Sequence, residues 1–275
     1  MCGIAGFVND MPIDVKCPVL QRMTDMIAHR GPDSEGHYID EHAALGHRRL
    51  SIIDLGGGQQ PIYNEDGSKV ITFNGEIYNY QTLREELIAA GHTFTTKSDT
   101  EVLLHGYEQW GVDLLQRVRG MFTFVIWDKN KQELFGARDH FGIKPFYYAK
   151  MNGTFMYASE IKSLLRHPDF VKELNAEALK PYMTFQYPAI GETFFKGVYK
   201  LPEGHYFTYR DGKMDIHRYY DEDFREGKQK LGELVNSIDQ TVCDSVKAHQ
   251  IADVEVGSFL SSGVDSSYVD RKSTR

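Results

Sequence analysis

The chain has 275 residues, of which 41% are hydrophobic and 25% charged, a balance typical of globular proteins with a substantial core. Its net charge of −8, without a stripe of Lys and Arg, argues against nucleic acid as a partner. The sequence has neither the apolar run of about 20 residues that spans a bilayer nor a signal-peptide pattern at its start. We therefore expect a cytoplasmic protein that binds neither nucleic acid nor membrane.

The three cysteines, Cys2, Cys17 and Cys243, are spaced too unevenly for a disulfide framework, and the eleven His lack the companions of a metal motif. We interpret Cys17 and Cys243 as reduced structural residues and predict no metal site. Cys2 differs, because removal of Met1 would leave a thiol and a free α-amine on one residue. The thiolate is a strong nucleophile, and the α-amine, with a pKa of about 7.7 to 8.0, is a base near neutral pH.

The first half of the chain alternates predicted strands and helices. Strands are expected at 3–8, at 43–53 and at 69–73, with a helix between residues 19 and 27. Asn74-Gly75 is expected to interrupt the third strand, either as a simple break before a helix or as a hairpin turn. We favour the break, because the residues that follow lead into a helix.

The middle of the chain opens with a helix start and then changes to strands. Ser98 to Glu101 has the pattern of a capping box, which places Asp99 in the first helical turn. An antiparallel meander is predicted from strands at 121–127, 133–137, 146–149 and 154–158. A last hairpin turns at Asp211-Gly212.

The sequence after residue 220 predicts a second domain. Residues 221–230 are almost all charged or polar and are expected to form a linker. An amphipathic helix from residue 231, a strand at 254–260 and the Ser-rich loop 261–267 follow. These elements cannot bury a core, so we expect a truncated domain. The loop either binds a phosphate anion at a helix start or simply caps that helix.

Several polar residues could complete a site around Cys2. A Cys nucleophile that attacks a carbonyl needs donors for the oxyanion, and the Asn74 amide and the Gly75 backbone N–H can supply them. Arg49 is a candidate for binding a carboxylate, and Glu76 and Asp99 are candidates for an ammonium group. Taken singly, each charged residue is explained as an ordinary surface or helix-start charge. Together they describe an α-amino acid substrate.

These motifs together resemble the glutamine-hydrolysing asparagine synthetases of the bacterial B type over essentially the whole chain. The segments shared with class II glutamine amidotransferases are Cys2-Gly3-Ile4, 29–33, 49–52, 74–79 and 98–101. The segments similar to asparagine synthetases in particular are 120–122, 138–139, 142–145, 158–160 and 201–204. The loop 261–267 is similar to the PP-loop that opens the ATP pyrophosphatase domain of these enzymes.

The resemblance implies an α+β fold, a four-layer αββα sandwich of the N-terminal nucleophile (Ntn) hydrolase type, followed by a truncated α/β PP-loop segment. Residues 1–220 would be a glutamine amidotransferase type 2 domain, 221–230 a linker, and 231–275 the start of the synthetase domain. The catalytic residues that it implies are Cys2, with its own amine as base, and Asn74 and Gly75 as the oxyanion hole. The implied glutamine contacts are Arg49, Leu50, Ile52, Glu76 and Asp99. The implied ATP contacts are Ser261, Ser262, Gly263, Val264, Asp265 and Ser266.

The implied reaction is hydrolysis of L-glutamine to glutamate and ammonia through a Cys2 thioester, with no cofactor. The full protein would use ATP and Mg²⁺ to activate aspartate as β-aspartyl-AMP, which the ammonia would convert to asparagine. A homodimer is left open as the assembly. Two alternatives stay open: a related class II amidotransferase that amidates another acid, or a non-catalytic module that keeps the Ntn fold for binding.

Three features depart from the family pattern. Ser262 stands at the first Gly of the usual PP-loop sequence Ser-Gly-Gly-Val-Asp-Ser, and a positive φ there would be strained. The polar residues 270–275 are unlike the helix expected after the loop. Met1, while attached, blocks the amine of Cys2.

Overall fold

The computed structural model describes residues 1–187 and 191–273. Its helices are α1 (Ile13–Asp25), α2 (Tyr80–Ala89), α3 (Asp99–Trp110), α4 (Ile161–Leu164), α5 (Ala176–Phe185), α6 (Leu231–His249) and α7 (Val264–Ser273). Short 3-10 helices lie at Ala28–Arg30 and Gly111–Gln116. Within the described ranges, no helix is both long enough and apolar enough to cross a membrane.

Two antiparallel six-stranded sheets form the centre of the molecule. The strands are β1 (Gly3–Val8), β2 (Ser34–Ile39), β3 (Ala43–Arg49), β4 (Ile62–Tyr63), β5 (Lys69–Ile77), β6 (Gly120–Asp128), β7 (Glu133–Arg138), β8 (Tyr147–Met151), β9 (Thr154–Ala158), β10 (Val198–Lys200), β11 (His205–Arg210) and β12 (Lys213–Arg218). The first sheet has the order β10-β8-β9-β1-β3-β2, and the second has the order β12-β11-β7-β6-β5-β4.

Alternation of side chains along the strands produces three apolar layers. In β1, Ile4 packs in the layer between the two sheets, together with Val125 and Trp127 of β6. Ala5 and Phe7 point the other way and pack against α1. The outer face of the second sheet packs against α2 and α3. The order helix, sheet, sheet, helix confirms the αββα sandwich.

The prediction that Asn74-Gly75 interrupts its strand is wrong. β5 runs on to Ile77, and Asn74 and Gly75 pair with Thr123 and Phe122 of β6. The turn preference of Asn-Gly is local, and pairing along nine residues of β5 outweighs it. Gly is required in this strand, because a Cβ atom on Gly75 would overlap the Phe122 backbone.

The predicted start of α3 is confirmed, although only half of the capping box forms. The Ser98 hydroxyl accepts a hydrogen bond from Thr100 N at 3.2 Å. The Glu101 carboxylate turns to the preceding loop, where it accepts from Thr95 N at 2.7 Å and from Thr96 N at 2.6 Å. Glu101 therefore fixes the loop that leads into α3.

The region after residue 220 differs from the sequence-based prediction in two places. Residues 254–260 are exposed and form no strand, because no described neighbour pairs with their backbone groups. Residues 270–273, predicted not to be helical, belong to α7, whose Asp265 and Arg271 suit the helix dipole. The last part of that prediction, residues 274–275, lies outside the described residues. Residues 221–230 form no regular element.

Gln60 closes the outer edge of β5 as a neighbouring strand would. Its Oε1 accepts from Phe73 N at 2.6 Å, and its Nε2 donates to Phe73 O and to Thr100 Oγ1, both at 3.2 Å. β4 pairs only with Val70 and Ile71, so a side chain has to satisfy the next N–H group along this edge.

We expect Gln60→Leu to lower the free energy of unfolding by about 1–3 kcal/mol, the cost of leaving the buried Phe73 N–H without an acceptor. The matched variant Gln59→Leu, at an exposed position, should change it by less than about 0.5 kcal/mol. Urea denaturation measures both values, and equal losses in the two variants would contradict the role of Gln60.

Candidate active site

A pocket opens where the ends of β1, β3 and β5 approach the start of α3. Its cavity volume is about 40 Å³. Its lining residues are Met1, Cys2, Arg49, Leu50, Ile52, Ile53, Gly58, Gln60, Phe73, Asn74, Gly75, Glu76, Ser98, Asp99, Thr100 and Lys144. All the residues predicted for catalysis and for glutamine contacts therefore lie around one pocket.

Cys2 lies just before β1 and is held from two sides. Its Sγ is 3.4 Å from Leu50 N and 3.5 Å from Leu50 O. Arg30 Nε donates to the Cys2 carbonyl at 2.9 Å. Two residues further on, the N–H of Ile4 donates to Ser159 Oγ at 3.0 Å. These contacts fix the backbone that carries the thiol.

The surroundings of Cys2 keep the thiol protonated. Burial raises the pKa of Cys2, the Leu50 N–H and the positive N-terminus oppose this increase, and the Asp99 carboxylate adds to it. Burial also lowers the pKa of the Met1 amine. A thiol of this kind needs a base before it can attack.

Asn74 brings a buried amide to the pocket. Its side chain is 1% exposed, and neither Oδ1 nor Nδ2 has a hydrogen-bond partner among the described residues. An unpaired buried polar group of this kind costs about 1–3 kcal/mol. The amide is therefore available to a molecule that enters the pocket.

The Gly75 N–H lies on the outer edge of β5. Backbone groups at alternate residues of a strand point to the same edge, so those of Phe73, Gly75 and Ile77 belong together. Gln60 accepts the first N–H, and Asp99 Oδ2 accepts that of Ile77 at 3.0 Å. Gly75 lies between these two contacts, beside the pocket.

Arg49 is a buried cation at the end of β3, with 5% of its surface exposed. Its Nη2 donates to Ile53 O at 3.1 Å and to Asp54 O at 2.6 Å, and its Nη1 donates to Leu55 O at 3.4 Å. The neighbouring Arg48 pairs with two carboxylates on the opposite face of the strand. Arg49, by contrast, has no carboxylate within ion-pair distance in the described part of the chain.

Two acidic side chains complete the lining. Burial raises the pKa of Asp99 to about 7, and the nearby Glu76 carboxylate adds to this increase. The hydrogen bond from Ile77 N opposes it. Burial also raises the pKa of Glu76, and the Lys144 ammonium opposes that change. A cation bound beside these carboxylates would stabilise their charged form, because opposite charges attract.

Lys144 is a pocket residue for which the sequence indicated no role. It is buried, and desolvation lowers the pKa of its ammonium while Glu76 and Cys2 raise it. Asp139 positions it by accepting from Lys144 N at 2.9 Å and from Phe122 N of β6 at 3.2 Å. The lysine lies in segment 142–145, which carries part of the resemblance, but no role was predicted for it, and only the fold of the loop brings it to Cys2.

The residues predicted for ATP lie at the start of α7 and not around this pocket. Ser266 Oγ is 3.1 Å from Ser261 Oγ and donates to Gly263 O at 3.2 Å. Ser262 has a φ of 61°, the left-handed conformation that glycine adopts most easily. The positive φ considered for this position is therefore present, on a residue that adopts it at a cost.

Comparisons with known proteins agree with the fold. Residues 1–220 match the family model described as "Glutamine amidotransferase domain", and residues 237–270 match the one described as "Asparagine synthase". The chain is 45% identical to asparagine synthetase [glutamine-hydrolyzing] 1 of Bacillus subtilis, over 98% of this chain and 43% of that protein. It is 35% identical to amidase chry2 of Gibberella zeae, over 98% of this chain and 42% of that protein. The chain thus spans less than half the length of these curated relatives.

Among solved structures, the chain is similar to the glutamine phosphoribosylpyrophosphate amidotransferase of B. subtilis complexed with ADP and GMP. The TM-score is 0.59 at 17% identity, and the likeness covers 99% of this chain and 64% of that one. At 17% identity the comparison supports the Ntn-type fold and nothing further. Since the family model covers residues 1–220 of the 275, the chain belongs to the family of glutamine amidotransferase domains.

Proposed function

We propose that residues 1–220 hydrolyse L-glutamine to glutamate and ammonia, with Cys2 as the nucleophile. The observation that carries this proposal is the buried Asn74 amide, which has no partner among the described residues and lines the same pocket as the Cys2 thiol. Membership of the amidotransferase family supports the same reaction. We propose 221–230 as the linker and 231–275 as the start of a synthetase domain.

In the proposed first step, the free amine of Cys2, exposed by removal of Met1, accepts the thiol proton. Sγ attacks the side-chain carbonyl carbon of glutamine, and the oxygen becomes an oxyanion that Asn74 Nδ2 and the Gly75 N–H stabilise. The amine then passes its proton to the leaving nitrogen, the C–N bond breaks, and ammonia departs from a thioester. A water molecule, deprotonated by the same amine, attacks the thioester and releases glutamate.

The charged residues of the pocket fit the two ends of an α-amino acid. Arg49 uses three N–H groups for backbone carbonyls, which leaves two of its five donors for the α-carboxylate. Glu76 and Asp99 would bind the α-ammonium group. A substrate carboxylate would also supply a counter-charge for buried Arg49, which has none among the residues that the structure describes. Leu50 and Ile52 would add backbone contacts.

For the full-length protein we propose ATP-dependent amidation of aspartate to asparagine, because the names of several relatives state asparagine synthesis. ATP, with Mg²⁺, would supply the activation of the acid. The loop 261–266 would hold its phosphates at the N-terminus of α7, where the positive φ of Ser262 shapes the turn. An acceptor other than aspartate is the second candidate, since relatives named amidases match the same stretch.

We expect Cys2→Ala to abolish the release of glutamate and ammonia from glutamine. Cys17→Ala, which changes an exposed thiol, should leave the rate unchanged. Protein that retains Met1 should be slower by about 10²–10⁴-fold, the usual contribution of a general base. Intact mass measures the state of Met1, and turnover in the Cys2→Ala variant equal to that of the parent would rule out the proposed nucleophile.

Replacing Asn74 by Ala should lower kcat by about 10²–10³-fold, as expected when one oxyanion donor is removed. The KM for glutamine should change by a few-fold at most, because the amide acts on the transition state. Asn130→Ala, in the exposed β6–β7 turn, is the control. A rise in KM with unchanged kcat would show that Asn74 binds the substrate and is no oxyanion donor.

Glutamine binding should weaken as the pH falls below about 7. Because the pKa of Asp99 is about 7, its carboxylate gains a proton as the pH falls below this value. The ammonium group of glutamine can bind only the ionised carboxylate. Calorimetry on the Cys2→Ala variant, which binds without reacting, should show about a tenfold loss of affinity per pH unit on the acid side. Asp99→Asn should bind weakly at every pH, and an unchanged pH profile in that variant would exclude Asp99 as the titrating group.

A further inference from the structure

Four side chains of metal-ligating type meet beside α3, outside the lining of the glutamine pocket. Glu65 follows β4, His92 follows α2, and His105 and Glu108 lie one turn apart on α3. One donor atom from each of the four lies within 4.8 Å of the others. Three separate segments of the chain therefore converge on one point.

Three contacts in the cluster are close to the spacing of ligands around a tetrahedral ion. His105 Nδ1 is 3.1 Å from Glu108 Oε2 and 3.4 Å from Glu65 Oε2, and His92 Nδ1 is 3.3 Å from Glu65 Oε1. With Zn–N and Zn–O bonds of about 2.0–2.1 Å, two ligands of tetrahedral Zn²⁺ are about 3.3 Å apart. Since one donor atom from each of the four residues lies within 4.8 Å of the others, the side chains would have to close by at most about 1.5 Å around an ion.

His92 has an acceptor at the ring nitrogen that points away from the cluster, since its Nε2 faces Gln109 Oε1 at 3.3 Å. Metal-bound histidines almost always donate their other N–H to a carboxylate or carbonyl oxygen, which fixes the tautomer and the ring orientation. At His105 the buried Glu101 carboxylate lies on that side, but its Oε1 is 3.6 Å from Nε2, and Nε2 has no hydrogen-bond partner among the described residues. The Nδ1 atoms of both rings face the cluster.

Three carboxylates lie in or beside the cluster: Glu65, Glu108 and, 3.6 Å from His105 Nε2, Glu101. The Lys69 ammonium lies 3.5 Å from Glu108 Oε1, and Asn64 Nδ2 donates to the same oxygen at 2.7 Å. The other oxygen of Glu108, Oε2, faces His105 Nδ1. A divalent ion between these groups would bring more positive charge to the carboxylates.

We propose that Glu65, His92, His105 and Glu108 bind one divalent transition-metal ion of the Zn²⁺ type. Two imidazoles and two carboxylates suit Zn²⁺, and four protein ligands close the coordination sphere, so the role is structural. The Glu65 side chain is 39% exposed and offers an entry path. The ion would join the turn after β4 to α3 and thereby support the helix whose first turn carries Asp99.

The test uses chain with Cys2→Ala, so that the N-terminal thiol cannot bind metal. After chelator treatment, equilibrium dialysis against Zn²⁺ should give one tightly bound ion per chain, and Co²⁺ should give the absorption of a tetrahedral site. His92→Ala and Glu65→Gln, both at partly exposed positions, should weaken Zn²⁺ binding by about 100-fold or more. His217→Ala, on the exposed face of β12, should bind as the parent does.

Zn²⁺ should also raise the melting temperature of the parent and of His217→Ala but not that of His92→Ala. Equal Zn²⁺ affinity in the parent and in His92→Ala would overturn the proposal. Failure of the parent to retain Zn²⁺ would overturn it as well. None of these measurements depends on glutamine hydrolysis, so their failure would not bear on the proposed reaction.

Discussion

The pocket depends on β5, which is paired over a longer stretch on one edge than on the other. β6 covers one edge along all nine residues, whereas β4 reaches only Val70 and Ile71 on the other. The uncovered edge would leave backbone N–H groups buried without acceptors. Gln60 and Asp99 satisfy the groups at the two ends of this stretch, and Gly75 lies between them. The open part of a sheet edge thus becomes the wall of a pocket.

The pocket concentrates polar groups that the protein itself leaves unsatisfied. The Asn74 amide has no described partner, Arg49 has no described counter-charge, and the pKa of Asp99 is raised by burial. Each feature makes the empty pocket less stable than an apolar one would be. The substrate that we propose, an α-amino acid with a side-chain amide, would offer a carboxylate, an ammonium group and a carbonyl oxygen to these three groups. Burial of apolar side chains in the surrounding layers offsets this local loss of stability.

The sequence predicted what depends on neighbours along the chain and missed what depends on distant partners. β9 lies at 154–158 as predicted and α3 begins after Ser98, because alternation and a cap act locally. The continuation of β5 through Asn74-Gly75 could not be predicted, since the partner strand lies more than forty residues away at Thr123. The resemblance brought Cys2 and the other site candidates together. Arg30 and Lys144 lie in segments 29–33 and 142–145, which also carry the resemblance, but their contacts near Cys2 became visible only in the long-range packing.

Asp54 connects the pocket to the segment that follows α6. Its carbonyl accepts from Arg49 Nη2, and its carboxylate accepts from Gly57 N at 3.1 Å and from Lys97 N at 2.8 Å. Its own N–H donates to Asp253 Oδ2 at 2.7 Å. The residue adopts a φ of 53°, a left-handed conformation that Asp tolerates better than most residues. A change in this one turn would therefore alter the guanidinium of the pocket, the loop before α3 and the contact with the second segment together.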